Sequence, residues 1–183
     1  MTALNSILIL LAAFLAVFGE AAFTGLRHLL GAQIDLLPAL VVYASLSANL
    51  VTLTLLCVLG GLLFDSLSAN PLGVTVLPLF IVGFLIYSQR GLILRQQLFA
   101  QVVLGLAASA AVPVMIVLLL LTIGQSPLLG WGSLWQWIVM TVGGGVATPA
   151  FFQLFALVDR ALSYRRASES SFRPDREIRR GRN

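Results

Sequence analysis

Before residue 160 the chain carries few side chains able to do chemistry: the acids Glu20, Asp35, Asp65 and Asp159, one histidine, His28, and one cysteine, Cys57. Paired acids could relay a proton, one holding what the other releases. Here each acid falls near the end of an apolar run, where a solvated carboxylate is the ordinary state. His28 lies beside Arg27 in a polar link and lacks the second His or the Cys pair that a metal would need. It reads as a solvated or headgroup-facing side chain. Cys57 sits inside an apolar run as a small buried hydrophobe, and a lone cysteine can form no disulfide within the chain. There is no Gly-x-Ser-x-Gly elbow, and no Lys to complete a phosphate-binding loop. The expectation is a protein with no catalytic residues, no metal and no cofactor.

Asp65 stands apart. It lies in Gly60-Gly-Leu-Leu-Phe-Asp-Ser-Leu-Ser-Ala-Asn-Pro-Leu-Gly73, a polar, turn-rich break between two long apolar runs. A helix C-terminus is the negative end of the helix dipole and disfavours an anion. Either backbone N–H groups of the Ser66–Pro71 turn compensate the carboxylate, or a partner's cation does. Both readings stand at this point.

The elements that hold these residues need lipid as their solvent. Of the 183 residues 59% are apolar and 10% charged, where a soluble domain has roughly 25% charged. Mean hydropathy is +0.99. The apolar runs are long and do not alternate, which predicts helices rather than a lipid-facing β-barrel. A first span covers 3–26, retained because no positive segment precedes it. Arg27, His28, Gly31, Gln33 and Asp35 link it to the next. The stretch 36–67 would be roughly 48 Å long as one helix, against a hydrocarbon core of ~30 Å. A turn at Ser45, Ser47 and Asn49 is therefore predicted, giving spans at 36–47 and 50–64, one of them short enough to be partly embedded or re-entrant. Asn70-Pro71 is predicted to start a fourth span, with Asn as cap and Pro at the first helical position. That span ends near Ser88. The fifth covers 98–123 with a bend at Pro113. The sixth covers 134–157 and contains Gly143-Gly144-Gly145 and Pro149. Trp131, Trp135 and Trp137 at its start read as an interfacial belt. Small residues at Ala12, Ala13, Ala16, Gly60, Gly61 and 143–147 suit close helix packing in lipid.

The predicted fold class is all-α: a polytopic helical membrane protein of six transmembrane helices over residues 1–163. The tail 164–183 has too little apolar content to fold alone and reads as disordered. All eleven basic residues are arginine, and most lie beyond residue 159. The Arg90/Arg95 link and the tail are two spans apart, so they share a side, and positive-inside bias makes it cytoplasmic. Six spans place the N-terminus there too. The tail has few aromatics and no recognised fold, so it reads as a topogenic signal rather than a nucleic-acid binder.

Asp35-Leu-Leu-Pro38 precedes an apolar run. Gly61-Leu-Leu-Phe-Asp65 then leads through a polar turn, Asn70-Pro71, to Leu72-Gly73. Ala147-Thr-Pro149-Ala-Phe151 closes the last span. These residues resemble the MreD family of bacterial rod shape-determining membrane proteins, over residues 35–160. The resemblance implies a compact bundle similar to the substrate subunits of energy-coupling-factor transporters. It implies a scaffold of the cell-elongation machinery that builds lateral peptidoglycan in the cytoplasmic membrane. Its partners would be an MreC-like bitopic coiled-coil protein, an MreB-like actin homologue, and a RodA-type glycosyltransferase with its transpeptidase. Membrane lipid would surround it, and no nucleic acid is expected. Pro38, Gly61, Asp65, Asn70, Pro71, Gly73 and Pro149 are the motif positions and candidate partner-interface residues. The alternative reading is a substrate-binding subunit of an energy-coupling-factor vitamin transporter. Ala12 and Ala16 fit the Ala-x-x-x-Ala face such subunits turn to their transport partner, but the outer loops hold few ligand groups beyond the Trp cluster. A membrane enzyme would need converging acids, His or Lys, which this sequence does not supply.

Overall fold

The structure, a computed structural model, describes residues 3–22, 31–68, 70–91, 97–125 and 130–170. Among them every regular element is a helix: α1 (Ala3–Ala22), α2 (Leu37–Ser47), α3 (Leu50–Leu67), α4 (Val76–Gln89), α5 (Leu98–Thr122) and α6 (Trp131–Ser170). Three stretches, α3, α5 and Trp131–Ala161 of α6, are long and apolar enough to cross a membrane. α1, α2 and α4 are apolar but shorter. The chain divides into two units, residues 1–151 and 152–183. The second consists, among the described residues, of the helical stretch from Phe152 to Ser170.

In the first unit α2 lies at the centre. Its sequence is apolar on every side, which suits either lipid or protein around it. Every residue from Leu37 to Leu46 is buried, and α1, α3, α4 and α5 all pack on it. At ~16 Å it is shorter than the hydrocarbon core is thick, and protein takes the place of lipid around it. Within it the Ser45 hydroxyl donates to the Val41 carbonyl (2.6 Å). Ala48 (φ −115°, ψ 177°) and Asn49 (φ −82°, ψ 158°) are extended and end the helix. The expected turn is there, and it folds α3 back along α2 so that Leu37 meets Gly60.

The other helices show one buried stripe each. Ile9, Ala13 and Val17 of α1 recur every fourth residue and are buried, and Ser6 Oγ shares a hydrogen bond with Thr52 Oγ1 of α3 (2.9 Å). α3 buries Leu53, Leu56, Cys57, Gly60 and Gly61. α4 buries Leu79, Val82, Gly83 and Ile86. The opposite faces carry exposed Leu, Val and Phe, such as Leu11, Leu15 and Phe18. Such faces suit a chain whose solvent is lipid.

Several boundaries differ from expectation. α1 ends at Ala22; the rest of the first span, with Arg27 and His28, lies outside the described residues, as do Arg95 and 171–183. α4 begins at Val76, not at Asn70-Pro71. α5 ends at Thr122, with Pro113 inside it. α6 starts at Trp131 and continues to Ser170, so the first residues of the expected tail, 164–170, are helical. Extending a formed helix needs no new nucleus, and Ala and Arg favour it.

Candidate functional site

The motif residues meet at the joint between α3 and α4. Asp65 is only 1% exposed. Its Oδ2 accepts the Gly73 N–H (2.8 Å) and the Thr75 N–H (3.1 Å), and its Oδ1 accepts the Thr75 hydroxyl. Gly73 has φ +92°, a conformation glycine adopts at no steric cost, which lets the chain turn its N–H back toward α3. Gly61 lies one helical turn before Asp65. A Cβ there would come within 3.0 Å of the Val76 backbone, so glycine lets the first residue of α4 rest on α3.

These contacts explain the late start of α4. Thr75 is the residue preceding the helix, where a hydroxyl normally caps the helix's own N–H groups. Here Asp65 claims both its hydroxyl and its N–H, and so caps α4 from ten residues away. The carboxylate sits at the C-terminal end of α3 but also at the positive N-terminal end of α4, which offsets the unfavourable dipole. Of the two readings left open for Asp65, the structure has the backbone one, with donors from Gly73 and Thr75 rather than from Ser66–Pro71. Asn70 and Pro71 shape the turn itself: the Asn70 N–H bonds Ser68 Oγ (3.3 Å), and the Pro71 carbonyl accepts from Val74 (3.3 Å).

Pro38 is buried in the first turn of α2. Asp35 caps this helix, accepting the Leu37 N–H on Oδ1 (2.9 Å), while Glu20 of α1 reaches the neighbouring Leu36 N–H with Oε1 (2.6 Å). The second Glu20 oxygen is buried with no hydrogen-bond partner. Beside them Gln33 and Gln136 exchange two hydrogen bonds, Gln33 N–H to Oε1 (3.0 Å) and Nε2 to the Gln33 carbonyl (2.8 Å). Burial pushes the Asp35 carboxyl up to about 6, opposed by the Leu37 N–H, which favours the charged form. The expectation of solvated acids therefore fails for Asp35 and Asp65, which are buried, and for Glu20, whose Oε2 is buried, and holds for Asp159, which is exposed. The link before α2 folds into the bundle, and hydropathy along the chain carries no sign of that.

Pro149 is not at this joint. It follows Thr148 in a seam where α6 meets α5: a Cβ on Gly144 would overlap Ser109, and one on Gly105 would overlap Thr148. Further along the same helices Trp137 Nε1 donates to the Ala110 carbonyl (3.0 Å). A groove of about 640 Å³ opens beside it, lined by Pro113, Val117, Leu118, Leu134, Trp137 and Met140 among others. Trp131 is fully in the open, as suits an interfacial position.

Sequence reasoning missed Thr75, the Glu20–Asp35 approach and the Gln33–Gln136 pair. Glutamines bordering apolar runs were the available signal for the last. Among the described residues no three His, Cys, Asp or Glu side chains converge to hold a metal ion. Asp35, Asp65, Glu20 and Gln136 act on backbone N–H and carbonyl groups at helix starts and turns. The chain matches no protein-family model, no curated protein and no solved structure.

Proposed function

We propose that this chain is a non-catalytic integral-membrane scaffold of the MreD kind, serving cell elongation and lateral peptidoglycan synthesis. The observation that carries the reading is the use made of Asp65. A buried carboxylate engaged by three donors of its own turn shapes a loop and is not free for a substrate. The enclosed α2 supports the same view, because side chains fill the middle of the bundle. In this reading the protein is multi-pass in the bacterial cytoplasmic membrane, with both termini cytoplasmic. The α3–α4 joint then faces outward, toward an MreC-like bitopic partner and the wall synthases. The Arg90 edge faces inward, toward an MreB-like filament. Exposed apolar helix faces receive lipid or partner helices, and the bundle is arranged as in energy-coupling-factor substrate subunits.

Gentle purification of the tagged protein from its own membrane tests this. Co-recovery of a coiled-coil bitopic protein and of wall synthases is the expected result. Vitamin transport has one observation on its side, the groove beside Trp137. Its lining is apolar apart from Ser133 and Gln136, which offers a polar vitamin little. Recovery of ATPase subunits, or of a tightly held vitamin, would replace the scaffold by the transporter.

A further inference from the structure

α5 and α6 touch closely at one level and stand apart at another. At Gly105, Ser109, Gly144 and Thr148 their backbones meet with no room for a Cβ on either glycine. Beyond Pro113 they diverge around the 640 Å³ groove, with Val114, Val117 and Leu118 on one wall and Leu134, Gln136 and Met140 on the other. Pro113 has no N–H, so the Ser109 carbonyl loses its donor within α5, and the helix beyond is tied to the part before it by fewer bonds. The Ser109 hydroxyl is also buried in the seam with no hydrogen-bond partner. A directional bond joins the two helices at the mouth of the groove: the Trp137 indole N–H on the Ala110 carbonyl, one residue past Ser109 (3.0 Å). That bond lies beside, and not on, the Ser109 carbonyl that Pro113 leaves without a helical donor.

We propose that α5 and α6 form a latched hinge. The Gly105–Gly144 seam is the pivot, Pro113 is the flexible point, and Trp137 is the latch. The arm is the stretch 114–122 of α5. While the latch holds, the arm stands at one distance from α6 and the groove keeps one width. Released, the arm swings and the groove opens or closes toward the surrounding apolar phase. Hinges in proteins are a few positions that absorb a backbone change while packed segments on either side stay rigid, and here the glycine seam supplies the rigid side.

Spin labels at Leu121→Cys and Ile138→Cys, in a Cys57→Ser background, read the distance between the arm and α6 outside the groove lining. Trp137→Phe keeps an aromatic ring and removes the donor. It is expected to broaden the distance distribution and add a longer component. Pro113→Ala restores the N–H that the Ser109 carbonyl lacks, and is expected to narrow the distribution in both the parent and the Trp137→Phe background. Thermal melts of each variant show that it is folded. If Trp137→Phe does not fold, Pro113→Ala alone decides. Distributions that superimpose on the parent for the folded variants would overturn the hinge.

Discussion

Replacing Asp65 by Ala would strand two backbone N–H groups and one hydroxyl in a buried turn. Each unsatisfied buried donor costs about 1–3 kcal/mol, so Asp65→Ala should lower stability by about 3 kcal/mol or more. Asp65→Asn turns an NH₂ toward one of those donors and should cost about 2 kcal/mol. Thr75→Val removes the hydroxyl bond alone, at about 1 kcal/mol. A double-mutant cycle on thermal melts in detergent should show the two positions coupled; additive effects would mean the carboxylate does not hold the turn. Asp35 makes a pH prediction. Its carboxyl is raised from 3.8 to about 6 by burial, so between these values the native state binds more protons than the unfolded chain. Stability is then highest below about pH 4 and falls as pH rises through about 6, by up to about 3 kcal/mol. Asp35→Asn keeps an oxygen for the Leu37 N–H and should reduce that fall, raising the melting temperature at pH 7. A fall of the same size in the variant would place its source elsewhere.

At the scale of elements, glycine decides how close α4 lies to α3. Gly61→Ala would press a methyl group on the Val76 backbone, and overpacking of this kind costs about 1–3 kcal/mol. Gly60→Ala should cost less, because what it meets is the tip of the flexible Leu37 side chain. Equal melting temperatures for the two variants would argue against a backbone-limited joint. The helices themselves were largely legible: the turn at 48–49, the length of α5 and the position of α6 follow from apolar runs and their breaks. The start of α4 was not. Asn70-Pro71 is a sound local start signal, but local preference lost to Asp65, which holds the chain in a turn until Thr75. The candidate site was half legible for the same reason. Gly61, Asp65 and Gly73 stood out as a motif, while Thr75, which completes it, looks in sequence like any threonine entering an apolar run.

For the whole molecule, orientation in the membrane is the property to measure. Removing residues 167–183 should leave insertion intact, since Arg90, Arg95, Arg160, Arg165 and Arg166 still carry the positive-inside signal. A reporter fused after Arg166 should be active only as a cytoplasmic reporter; periplasmic activity would invert the topology. Composition determined that this polypeptide is suited to lipid, because too few charged groups exist to cover a water-facing surface, and its long, non-alternating apolar runs determined that it is helical. Periodicity and turn residues determined most helix boundaries, because both act within a few positions along the chain. Only tertiary structure decided which short helix is enclosed, which acids are buried and what they bind. Those facts depend on partners such as Gln33 and Gln136, 103 positions apart, which packing brings together and no local pattern encodes.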